Sequence, residues 1–78
     1  MSDNPPDLML DAKDLLCPLP VLKARKKLAA MASGAVLKVV ATDPMSVVDM
    51  PHFCQEQGHE LLSHHINNNT HEFRIKRK

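Results

Sequence analysis

The sequence predicts an α/β two-layer sandwich, a mixed four-stranded sheet in β-α-β-α-β-β order with two helices on one face. Three observations predict it. Apolar residues recur at helical spacing in two segments, around 18–32 and 51–57. Runs of alternating or β-branched residues fall at 8–12, 36–42, 59–66 and 71–78. Turn-forming residues separate these runs: Ser33-Gly34, Asp43-Pro44, Gly58 and Asn67-Asn68-Asn69. The chain of 78 residues has room for one small domain, read as residues 8–78 behind a flexible N-terminal tail over 1–7.

Each element has a local reason. In the tail, Asn4-Pro5-Pro6 carries no apolar pattern and disfavours helix. Leu8 to Ala12 suits a short strand with Leu8 and Leu10 on one face. Pro18 to Ala32 reads as the first helix, since prolines in a first turn forfeit N–H groups that have no intrahelical partner anyway. Val21, Ala24, Leu28 and Ala32 form its apolar stripe, Lys23, Lys26 and Lys27 lie opposite, and Arg25 sits at the edge. Val36 to Thr42 reads as a central strand buried on both faces. Ser46 is expected to cap a short helical turn through Asp49, after which Pro51 restarts a helix that stops at Gly58. Val47, Met50 and Cys54 share its expected inner face. His59 to Ile66 is a third strand, the Asn run a hairpin turn, and His71 to Lys78 a fourth strand with Phe73 and Ile75 facing inward.

Composition narrows the function. Hydrophobic residues make up 44% and charged residues 24%, the balance of a folded globular chain. With no Trp, no Tyr and two Phe, the core must be aliphatic. A chain this short buries only about 60–65% of its unfolded surface, too little to enclose a large cofactor. Ten Lys plus Arg against nine Asp plus Glu leave a net charge of +1, unlike a dedicated nucleic-acid binder. Aromatic platforms for single strands are missing. No apolar run approaches the roughly 18 residues of a membrane span, and Met1 to Asp7 does not read as a signal peptide, so a cytoplasmic location is expected. Two cysteines cannot make a disulfide scaffold.

The chemistry concentrates at Cys17-Pro18-Leu19-Pro20. A cysteine just before a helix faces the positive end of the macrodipole, which is expected to favour thiolate modestly. Pro18 and Pro20 stiffen the approach, making a rigid ledge with an exposed sulfur that suits handing a group to another protein. Cys54, beside Phe53 on a core-facing helix side, is read as structural. His64 and His65 point to opposite faces of a strand, no metal-ligand spacing occurs, and the expectation is no metal and no cofactor. Nothing in the spacing makes His59 or His71 a base for Cys17.

These residues resemble a known family. Leu10-Asp11-Ala12 through Leu16-Cys17-Pro18-Leu19-Pro20-Val21 is similar to the start of the TusA/SirA-like sulfur carriers, with their Cys-Pro-x-Pro motif. Asp43-Pro44, Asp49-Met50-Pro51, Phe53-Cys54 and Gly58-His59-Glu60-Leu61 resemble the later part of the TusA branch. The resemblance implies the same fold and a persulfide carried on Cys17. It also implies a cysteine desulfurase as donor and a downstream relay protein as acceptor. In the TusA branch that relay leads to 2-thiouridine in tRNA; other branches serve molybdenum-cofactor enzymes or sulfur oxidation. Arg25 and Asp43 fall where the family meets its desulfurase, and no direct nucleic-acid or membrane partner is implied. Leu19 departs from the acidic residue common at that motif position in the TusA branch. The competing reading is a non-catalytic interaction module using Lys23, Lys26, Lys27 and the Arg74 to Lys78 edge, which the near-zero charge disfavours.

Overall fold

The structure, a computed structural model, describes residues 8–78; the tail expected over 1–7 lies outside them. Among the described residues the elements are β1 (Leu8–Ala12), α1 (Leu19–Ala29), β2 (Val36–Ala41), α2 (Ser46–Gln57), β3 (Glu60–Asn67) and β4 (Thr70–Lys76). The sheet order is β1-β2-β4-β3. β1 runs parallel to β2, β2 antiparallel to β4, and β4 antiparallel to β3. Both helices pack against one face, so the predicted two-layer sandwich is the observed one.

The core lies between that face and the helices. Leu37, Val39 and Ala41 of β2, with Phe73 and Ile75 of β4, meet Ala24 and Leu28 of α1 and Met50, Phe53 and Cys54 of α2. β2 is not buried on both faces: Lys38 on its outer face is half-exposed and pairs with Glu72 at 2.6 Å. Only Val40 on that face is well buried, because no second helical layer covers it.

Both helices depart from their expected form for reasons distant in sequence. α1 ends at Ala29, three residues early, and Met31 rather than Ala32 turns into the core. The stop is tight: Ala30 and Met31 donate to Lys27 and Leu28 carbonyls, and the Arg77 guanidinium caps Leu28 O at 2.8 Å from the far end of the chain. α2 is a single helix running through Pro51 rather than a turn followed by a helix. Ser46 does not cap it. The Asp43 carboxylate accepts the Met45 amide at 3.2 Å instead, while among the described residues Ser46 Oγ is buried without a partner. Val47 faces outward at 40% exposure, so Met50, Phe53 and Cys54 carry the inner face. Gly58 closes α2 with φ 80°, a left-handed value that suits glycine.

The β3–β4 hairpin turns at Asn68, whose φ of 56° asparagine tolerates. A bulge between Leu61 and Ser63 shifts the alternation, so Leu61 and His64 both face inward opposite Ile75 and Phe73. The His64 ring stacks on Phe73 at 4.4 Å, and its Nε2 meets His71 Nδ1 at 3.2 Å. Burial, then His71 and His65, hold the His64 pKa below its ordinary value; burial, then Lys78 and Arg77, do the same for His59. In both cases folding favours the neutral ring. Above the ordinary histidine range both states are neutral and the stabilisation is complete. Below it the unfolded chain binds protons that the fold resists. The urea midpoint is therefore expected to fall from pH 7.5 to pH 5.5, and His64→Phe is expected to flatten that dependence.

Candidate functional site

Cys17 sits where two βα junctions meet. Parallel pairing aligns Ala12 with Ala41, so the loops leaving β1 and β2 emerge side by side. Side chains of the second loop hold the first. The Asp14 amide donates to Thr42 Oγ1 at 2.9 Å, and the Cys17 amide donates to Asp43 Oδ2 at 2.6 Å. Because Asp43 Oδ1 already accepts the Met45 amide, one carboxylate fixes both the cysteine and the start of α2. Asp43 is only 6% exposed. The Cys17–Pro18 peptide bond is cis.

Beyond that anchor the thiol is exposed, as the ledge reading expects. It stands at the mouth of an open groove of about 260 Å³ between the helices. Val21, Leu22 and Arg25 line it from α1; Asp49, His52, Phe53 and Glu56 line it from α2. Leu16, Leu19 and Leu22, near Cys17 in the chain, are each at least 46% exposed, and Leu22 lines the groove with Cys17. His52 and Glu56 pair at 3.4 Å, one turn apart on the groove rim.

The electrostatics reverse the expected thiolate preference. The Cys17 pKa is raised: the Asp49 carboxylate hydrogen-bonds the thiol, desolvation adds to this, and the charges of Asp49 and Asp43 act in the same sense. The helix start offers little to oppose them. Pro18 and Pro20 have no N–H, and the Leu19 amide is spent on Leu16 O at 2.8 Å. Cys54 is raised to about 11 by burial and is walled into the core, as its structural reading requires.

The structure separates the two residues expected at a partner surface. Arg25 is exposed on the groove wall, while Asp43 is 6% exposed and accepts the Cys17 and Met45 amides, which gives it a positioning role toward Cys17. His59 accepts the Lys78 amide and His71 is engaged with His64, and neither lines the groove with Cys17. Asp49 and His52 were not marked as site residues by the sequence. Their one-face spacing with Phe53 and Glu56 is visible there, but which helix faces that side is not. Among the described residues there is no group of three or more His, Cys, Asp or Glu placed to hold a metal. None of their helices is long and apolar enough to cross a membrane.

A small open α/β domain offering one exposed thiol at the foot of a helix belongs to the class of thiol-based carriers. A family profile described as Sulfurtransferase TusA matches residues 8–77. "Sulfur carrier protein TusA" of Allochromatium vinosum is 48% identical over 71 residues, covering 91% of this chain and 93% of that one. The Pseudomonas entomophila protein of the same name is 44% identical over 78 residues, covering 100% and 98%. The crystal structure of a SirA-like protein from Desulfitobacterium hafniense superposes with a TM-score of 0.77 at 25% identity, covering 88% of this chain and 95% of that one. The chain belongs to the TusA family of sulfur carriers.

The anchoring scheme has a measurable consequence. Asp43→Ala leaves two amides without their acceptor and is expected to cost about 1–3 kcal/mol in urea unfolding. Ser46→Ala removes only an unpartnered hydroxyl and is expected to stay within about 0.5 kcal/mol of wild type.

Proposed function

We propose that this carrier accepts sulfane sulfur on Cys17 from the persulfide of a cysteine desulfurase and relays it to a cysteine of the next protein. The observation that carries this reading is the exposure of the Cys17 thiol at an open groove, with no lid over it among the described residues. Both transfers need a second macromolecule to reach the same sulfur, and a shielded pocket would block them.

The chemistry is thiol exchange. The Cys17 thiolate attacks the outer sulfur of the donor persulfide. A new sulfur–sulfur bond forms at Cys17, the donor's own sulfur–sulfur bond breaks, and the donor cysteine leaves as thiolate. There is no net oxidation or reduction. The same step in reverse sense, with an acceptor thiolate attacking the terminal sulfur on Cys17, unloads the carrier. Arg25 offers a cation to the partner on the groove wall. The family's TusA branch makes tRNA 2-thiouridine the proposed destination, reached through the relay protein rather than by direct contact with RNA. The relay is proposed to operate in the cytoplasm.

Incubation with a cysteine desulfurase and cysteine is expected to add one sulfur to the intact mass, mapped to the Cys17 peptide. Cys17→Ser is expected to abolish the addition and Cys54→Ser to retain it; sulfur on Cys54 overturns the assignment. Cells lacking the carrier are expected to lose tRNA 2-thiouridine and to regain it with wild type but not with Cys17→Ser.

A further inference from the structure

The groove that starts at the sulfur also carries an unpaired cation. Arg25 is exposed on the α1 wall. Among the described residues the ion pairs are Lys13–Asp11, Lys38–Glu72 and His52–Glu56, and Arg25 enters none of them. Glu56, a carboxylate of the facing α2 wall, is engaged with His52 at 3.4 Å. A free guanidinium presents a planar fork of donors that matches a carboxylate in two parallel bonds. One groove therefore holds an exposed thiol and a carboxylate-binding group, with Val21, Leu22 and Phe53 supplying apolar lining.

Size and spacing narrow what fits. The groove encloses about 260 Å³. This is just below the range of about 300–1,000 Å³ that suits drug-sized ligands, room for a short peptide rather than for a folded element of a partner. Arg25 lies six residues beyond Leu19, where α1 begins, a rise of about 9 Å along the helix. Cys17 stands before that first turn. A ligand that meets both groups has its carboxylate many bonds from its reacting sulfur. In cysteine persulfide the carboxylate is two carbons from the sulfur chain; in a short peptide it lies a residue further. Asp49 and Glu56 repel a carboxylate from the α2 wall and so direct it to α1.

We propose that the groove binds a short-peptide persulfide with its carboxylate on Arg25, and that Cys17 takes the outer sulfur from it with no protein donor. This rests on the reading of Cys17 as a sulfur carrier and adds a small-molecule source to it. The Cys17 thiolate attacks the outer sulfur of the bound persulfide. A sulfur–sulfur bond forms at Cys17 and the ligand's own sulfur–sulfur bond breaks. The peptide leaves as thiolate and takes a proton from water. Nothing is oxidised or reduced overall, so no co-reactant is needed. Arg25 touches the ligand away from the reacting atoms, so it selects which persulfide is held.

The test is loading without a desulfurase. The protein is mixed with glutathione persulfide or with the persulfide of the glycine ethyl ester of glutathione, which keeps the chain and lacks the terminal carboxylate. Sulfur on the Cys17 peptide is followed in time by mass spectrometry. The acid is expected to load Cys17 about twofold to fivefold faster than the ester at low salt, the effect of an exposed ion pair. High salt is expected to shrink that preference. Arg25→Gln is expected to bring the two rates together. Lys23→Gln, an equal loss of charge on α1 outside this groove, is expected to keep them apart. Equal rates in wild type, a preference that survives Arg25→Gln, or one that Lys23→Gln also abolishes overturns the proposal. So does addition of the whole thiol as a mixed disulfide in place of one sulfur. If neither persulfide loads Cys17 while a desulfurase does, the proposal falls and the carrier reading stands. Selective loading from the acid with none from a desulfurase upholds the proposal and removes the protein donor.

Discussion

The Asp43 carboxylate is the constraint on which the site depends. One oxygen accepts the amide of Cys17 and the other the amide of Met45, so a single buried side chain joins the end of the first βα loop to the beginning of the second helix. Its own position is set by β2, which leads into it, and by the parallel pairing that puts Ala12 beside Ala41. Charge-assisted bonds of this kind are shorter and stronger than neutral ones, and at 6% exposure they are little screened. The sheet therefore transmits its register directly to an exposed cysteine. An exposed sulfur on a small domain would otherwise wander with its loop.

The rest of the architecture serves the same end. A core of Phe73, Leu28, Leu37, Met50, Ile75 and Val39 is thin but tightly shared between sheet and helices. α1 and α2 both begin at the Cys17 end, and their outer surfaces leave the groove that starts at the sulfur. The far end is closed by the C-terminal segment: Gly34 donates to Arg77 O, Arg77 donates to Leu28 O, and the Lys78 amide reaches His59. The fold is stitched at one end so that the other can stay open.

The pattern of elements was legible because each has a short-range signature. Leu8 to Ala12 alternates, Phe73 and Ile75 alternate with Arg74 and Lys76, and Gly58 marks a helix end. What failed to show were the long-range decisions. The stop of α1 at Ala29 rests on Arg77, and the cap of α2 on Asp43 rather than the nearer Ser46. The bulge at Leu62 turned His64 inward against Phe73. At the site, Cys17 and its motif were legible, and Arg25 lies on the groove wall. Asp43 looked like a surface acid because nothing local says that two amides will surround it. Asp49 looked like the end of a turn because its neighbour, Cys17, is brought to it only by the packing of α2 beside α1.

The two cysteines show why position alone misjudges reactivity. Both have raised pKa values, yet the causes differ in kind. Burial raises Cys54, and only unfolding would relieve that. A neighbouring carboxylate raises Cys17, and that influence acts at an exposed atom. A helix start favours a nearby thiolate through its free N–H donors. Pro18, Pro20 and the Leu19–Leu16 bond thin that set, and the neighbouring Asp49 carboxylate then outweighs the remaining dipole. The prolines so often taken as a device for rigidity thus also hand control of the sulfur from the backbone to side chains. Side-chain control is the form that suits a carrier, since its sulfur must be held loosely enough to leave.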